Sequence, residues 1–139
     1  MGLPAPEPGL VVSYAYLWHR QHAVGWGTGE KARPAVIVMA IEPRPDVMVA
    51  PVTTQPVAGP SVAIPPRVAT GLGLDQGRPS RVVVSEVNMF RWPNDLERLP
   101  ESGPARFHYG FIPPRLFNQI RDAVIEQHKV GQLMKVRRS

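Results

Sequence analysis

Glu30-Lys31-Ala32-Arg33-Pro34-Ala35-Val36-Ile37-Val38 is the stretch on which the reading of this chain turns. An arginine stands at the mouth of a run that is apolar at successive positions, as a strand covered on both faces is. A turn at residues 43–46 follows, and then a second run, Val47-Met48-Val49-Ala50-Pro51-Val52, that ends in Thr53-Thr54-Gln55. The two runs predict a hairpin. Its ends would bring the Arg33 guanidinium and the hydroxyls of Thr53 and Thr54 towards one hollow. A planar cation with small hydroxyls beside it is the equipment for holding a phosphodiester. The same spacings equally allow Arg33 to be a surface side chain and Thr53-Thr54 to open a polar turn.

Outward from the hairpin, residues 10–17 (Leu-Val-Val-Ser-Tyr-Ala-Tyr-Leu) are β-rich and form a first strand. An extended arm, residues 1–9, precedes it. Residues 18–31 read as a polar loop carrying His19, Arg20, His22, Trp26 and three glycines. The hairpin strands are expected over 34–42 and 47–52. A short strand at 61–64 stops at Pro65-Pro66, and 67–79 reads as a loop. Residues 81–87 form one more buried strand, a turn follows around Trp92-Pro93-Asn94-Asp95, and a weaker strand is placed near 105–111. Pro113 or Pro114 then opens a helix running to about Lys129, since proline suits the first helical turn. Leu116, Phe117, Ile120 and Val124 give it one apolar stripe, and Gly131 is its stop. The 17 prolines and 12 glycines fall between these runs, so they punctuate short strands and do not mark disorder. The expected architecture is mainly β: one domain over 1–139, a small barrel capped by a C-terminal helix.

The formal charge of +5 and a pI near 10.2 permit a polyanionic partner. Part of that charge is local. No acid follows Glu126, whereas Lys129, Lys135, Arg137 and Arg138 do, so 130–139 reads as a solvated basic tail. Cysteine is absent, which excludes disulfides, a thiol nucleophile and cysteine-based zinc sites. Residues 1–8 resemble no signal or transit peptide, and no apolar run approaches the roughly 18 residues that span a bilayer. A soluble, cytoplasmic protein with no membrane partner is expected.

These residues resemble the MazF/PemK-type toxins of bacterial toxin–antitoxin systems. The likeness rests on Pro8-Gly9-Leu10-Val11-Val12, on Lys31 to Val38 with its arginine-proline-alanine-valine core, on Val49-Ala50-Pro51-Val52-Thr53-Thr54-Gln55, and on the strand 81–87 followed by the helix from Pro113. The resemblance implies an SH3-like barrel, a homodimer, a cognate antitoxin peptide, and growth-inhibiting, metal-independent cleavage of single-stranded RNA with no cofactor. The ribose 2′-hydroxyl would attack the adjacent phosphorus, giving a 2′,3′-cyclic phosphate and a 5′-hydroxyl. By position Arg33 and Thr53 match the catalytic pair, with Glu30 as a nearby acid. Lys31, Thr54, Gln55, His19, Arg20, His22 and Trp26 are the candidate RNA-binding residues, and no metal ligand set is assigned.

Two departures bear on the chemistry. Thr28 occupies the place, five residues before the arginine, where the family often has an acid. Asn88 stands where a residue able to act as a base is expected. His19, His22, Glu30 and Glu86 are left as candidates for the general base. The sequence therefore also admits a barrel of the same kind that binds nucleic acid or a peptide without cutting, or a scaffold whose basic tail is merely solvated. The three tryptophans, Trp18, Trp26 and Trp92, could stack on bases or pack the barrel.

Overall fold

The computed structural model describes residues 5–29, 31–41, 46–75, 77–99 and 106–138. The hairpin is present as expected. β2 (Arg33–Ile41) pairs antiparallel with β3 (Asp46–Thr53), with Ala35 opposite Pro51 and Val36 opposite Ala50. β1 (Leu10–Tyr14) lies on the other side of β2, with Val11 opposite Val36 and Tyr14 opposite Arg33. β2 is thus a central strand, which explains its apolar residues on both faces.

The remaining strands are β4 (Ser61–Ala63), β5 (Arg81–Val83), β6 (Glu86–Arg91), β7 (His108–Phe111) and β8 (Met134–Arg137). The sheet runs in the order β4-β5-β3-β2-β1-β7, and β6 joins β3 and pairs in parallel with β8. The expectation of a barrel needs correction: among the described residues no pairing joins β4 to β7, and the sheet is open. Helices stand at the two ends of the path. α2 (Pro66–Leu72) packs against β7, and α3 (Pro114–Lys129) packs against β4.

Alternation along the strands builds two cores. Val11, Val36, Ala50, Val52 and Val82 point to one face, where Leu116, Ile120 and Val124 of α3 cover them. This is the stripe expected from the helical spacing. Tyr14, Tyr16, Ile37, Val49 and Phe90 fill the other face, with Trp18 packed among them and Trp92 beside them. Each buried Val, Leu, Ile or Phe among them contributes about 1.5–3 kcal/mol by leaving water.

Four further elements differ from the sequence reading. The loop 18–31 contains a short helix, α1 (His19–Ala23). The loop 67–79 contains α2, opened by Pro66 and closed by Gly73 at φ 73°, a left-handed conformation that favours glycine. The run 81–87 divides into β5 and β6, because β5 serves the end of β3 and β6 serves its middle: Val52 faces Val82, while Val49 faces Asn88. The basic tail is no tail: Met134–Arg137 forms β8 and Arg138 is buried. The extended arm reaches the sheet by residue 9, where the Gly9 N–H donates to the Ile37 carbonyl; residues 1–4 lie outside the described residues. Among the described residues no helix is long and apolar enough to cross a membrane.

Candidate functional site

Arg33 opens β2 and Thr53 closes β3. Carried two residues beyond the Ala35–Pro51 pair, the register would bring Arg33 across from Thr53, and both residues line the same two cavities. Thr53 is in turn paired with Arg81 of β5. Two guanidinium-bearing positions therefore flank one threonine across three strands. Thr53 is 7% exposed, and its Oγ1 accepts a hydrogen bond from the Gln55 N–H at 3.0 Å. With that oxygen accepting one bond, the hydroxyl still has its proton to donate.

Two cavities meet at this pair, and both are lined by Arg33 and Thr53. The smaller, of about 230 Å³, is completed by Lys31, Thr54, Asp75, Ser80 and Tyr109. The larger, of about 450 Å³, is completed by Trp18, Arg20, Gln55, Ser85 and Glu86. Three cationic side chains thus line a partly enclosed cleft, where anions are attracted more strongly than in open water. The Arg33 and Arg20 guanidinium carbons each lie 5.0 Å from the centre of the Trp18 ring, within cation–π range. Burial pushes the Tyr109 hydroxyl up from its ordinary pKa, so it lines the smaller cavity as a neutral donor.

Trp18 is held in place by hydrogen bonds that clamp the chain just beyond β1. Asn88 accepts from the Leu17 N–H through Oδ1 at 2.9 Å and donates to the Leu17 carbonyl through Nδ2 at 2.8 Å. Arg138 donates to the Ala15 carbonyl at 2.7 Å and to the Tyr14 hydroxyl at 3.2 Å. Glu86 Oε1 accepts from the His19 N–H at 2.9 Å and from the Tyr16 hydroxyl at 3.1 Å. Burial, reinforced by the Glu86 charge, raises the Tyr16 pKa well above its ordinary range and keeps that hydroxyl a donor.

The structure brings together Arg33, Thr53, Thr54, Lys31, Arg20 and Gln55 from the sequence-derived set. His19 touches the site only through its backbone, and the exposed His22 and Trp26 line neither cavity. Glu30 falls outside the described residues. Asn88 is fully buried and committed to Leu17, so its role is to hold the loop and not to move a proton. The sequence reading missed Asp75, Ser80, Tyr109 and Ser85 as walls of the cleft, and missed Trp18 as the ring beneath Arg33. Each of these comes from an element remote in sequence from the hairpin, and no local pattern marks it. Among the described residues no three of His, Cys, Asp and Glu are grouped so as to hold a metal ion.

Sheet, helix and cleft define a class: a small, open, mainly antiparallel β protein with a C-terminal helix and a basic cleft at the ends of its central hairpin. This is the fold of a MazF toxin. The chain is similar to the solved structure of Mycobacterium tuberculosis toxin MazF-mt6, with a TM-score of 0.53 and 20% sequence identity over 86% of this chain and 96% of that one. At that identity the likeness is one of fold. No family model matches the sequence, and no curated protein matches it.

Proposed function

We propose that the protein is the toxin of a type II toxin–antitoxin system, a cytoplasmic endoribonuclease that cuts single-stranded RNA at a phosphodiester held between Arg33 and Thr53. The observation that carries this reading is the shared wall of the two cavities, of about 230 and 450 Å³, which Arg33 and Thr53 both line. The fold likeness to a protein titled a toxin adds to it.

In the proposed reaction the 2′-hydroxyl gives up its proton to water, its oxygen bonds to phosphorus, the bond from phosphorus to the 5′-oxygen breaks, and the leaving oxygen takes a proton from water, so that no proton is gained or lost overall. The products are a 2′,3′-cyclic phosphate and a 5′-hydroxyl. The nucleophile belongs to the substrate, so no metal-bound water is needed. Negative charge grows on the phosphate oxygens, and a guanidinium already in place stabilises it. The high pKa of arginine favours this role over proton donation. The Thr53 hydroxyl holds an oxygen so that attack proceeds in line.

The same reading includes a homodimer and an antitoxin peptide. What supports a partner is an apolar cavity of about 440 Å³ between the hairpin and α3, lined by Met39, Met48, Ile125 and Leu133 with Arg121 and Lys135 beside them. Met39, Ile125 and Met134 are large exposed apolar side chains in or near it.

The test is purified protein with labelled single-stranded RNA in EDTA, followed by end-group analysis. Cyclic phosphate ends, lost in a folded Arg33→Ala variant, support the reading; 3′-hydroxyl ends or a need for metal overturn it. A second reading, RNA binding without cleavage, is favoured by Asn88, which is sequestered and supplies no base. Salt-dependent binding to intact RNA would establish it.

A further inference from the structure

We propose that Glu86 reads the edge of a base in the larger cavity, admitting bases with an exocyclic amino group (adenine, cytosine, guanine) over uracil. This rests on the ribonuclease reading and names what that site selects.

The carboxylate is oriented before any ligand arrives. The Tyr16 hydroxyl and the His19 N–H both donate to Oε1, at 3.1 and 2.9 Å, from the segment beyond β1 and from the start of α1. Among the described residues both hydrogen bonds to the carboxylate go to Oε1, and Glu86 lines the larger cavity, where Oε2 is the oxygen available to accept. A reader held from two directions discriminates better than one on a loose side chain. Pro56, Val57 and Val83 supply apolar walls for the faces of a ring, and Gln55 and Ser85 supply polar groups at its edges. Because Arg33 and Thr53 also line this cavity, a base seated there adjoins the phosphodiester they hold.

An ionised carboxylate only accepts hydrogen bonds. Cytosine N4, adenine N6 and guanine N1 and N2 all donate. Uracil offers one N–H between two carbonyl oxygens, and those oxygens repel the carboxylate. A site with a fixed acceptor penalises a partner that meets it with another acceptor. A negative group in a cleft that gathers a polyanion also weakens binding in general. A donor on the base offsets that cost.

The experiment is cleavage of a randomised single-stranded RNA pool by the wild-type chain and by Glu86→Gln. Cut sites are read by sequencing, and cleavage rates are measured across pH. For the wild type, uracil is expected to be depleted about tenfold at one of the two nucleotides flanking the cut. Glu86→Gln keeps an oxygen for Tyr16 and His19 and adds an N–H₂ that can face O4 of uracil. It should raise uracil at that flank towards parity and leave the other flank unchanged. Equal use of all four bases by the wild type overturns the assignment and leaves the ribonuclease reading standing; this comparison needs no folded variant. A Glu86→Gln variant that loses cleavage at every base together with one limb of the pH profile also overturns it, since Glu86 would then move the proton. A pool left intact by the wild type removes the ribonuclease reading and this assignment with it.

Discussion

The Arg33 guanidinium lies over the Trp18 indole, 5.0 Å from the ring centre. The ring's negative face attracts the cation, and Trp18 itself packs edge-on against Tyr16 at 5.0 Å between centroids. A residue fifteen positions earlier thus contributes to holding Arg33 in the cleft. Trp18→Leu keeps an apolar filler and removes the π face. Cleavage should fall by about tenfold, the range a partly desolvated cation–π contact supplies. Trp18→Phe should fall less. Single-turnover rates on one RNA, with melting temperatures alongside, would check both; equal rates in Trp18→Leu and wild type would refute the coupling.

Thr53→Val preserves the side-chain shape and removes both the acceptor for the Gln55 N–H and the donor into the cleft. Loss of one preplaced donor should lower cleavage by on the order of a hundredfold. Thr53→Ser retains the hydroxyl and should stay within about tenfold of wild type. The comparison of the two variants isolates the hydroxyl from the packing.

Neighbouring arginines at the C-terminus should behave unequally. The Arg138 side chain is 4% exposed, lies 3.4 Å from Asp95 and donates to Ala15 and Tyr14. Arg138→Ala leaves buried acceptors unmet and should lower stability by about 3 kcal/mol. Arg137 is 58% exposed, but its partner Asp46, 3.6 Å away, is buried and would lose that cation, so Arg137→Ala should cost about 1–2 kcal/mol, less than Arg138→Ala. Urea unfolding of both variants measures the difference.

Alkaline pH should unfold the protein through its buried tyrosines. Burial raises the Tyr14 pKa above its ordinary 10.0, with the nearby Arg138 opposing only in part. Burial and the Glu86 charge raise Tyr16 likewise. A folded-state pKa above the unfolded value means the native state keeps protons that the unfolded state releases. The stabilisation is complete below the unfolded pKa and is lost as pH rises past it. Stability should therefore hold to about pH 10 and then fall by about 1.4 kcal/mol per pH unit for each such tyrosine. Tyr16→Phe should flatten the slope, as urea midpoints measured across that range would show.

The hairpin and the terminal helix were legible in the sequence, and the approach of Arg33 to Thr53 was one of the two readings it allowed. Each is a local matter: an apolar run, a short turn and a fixed period of two determine which ends come together, and a stripe at helical spacing behind a proline determines α3. The same local rules failed where the chain's partner was distant. β8 was read as a solvated tail because its charges face outward, while its single buried valine, Val136, leaves too faint an alternation to mark a strand. α2 was read as a loop because only Ala69 and Leu72 are buried in it. The walls of the cleft were decided by tertiary structure alone. Glu86 meets Tyr16 and His19 across sequence separations of 70 and 67, and Arg138 meets Ala15 across 123. Side-chain period specifies which face a residue takes on its own strand; only the packing of strands and helices against one another decides which remote residues share a hollow with it.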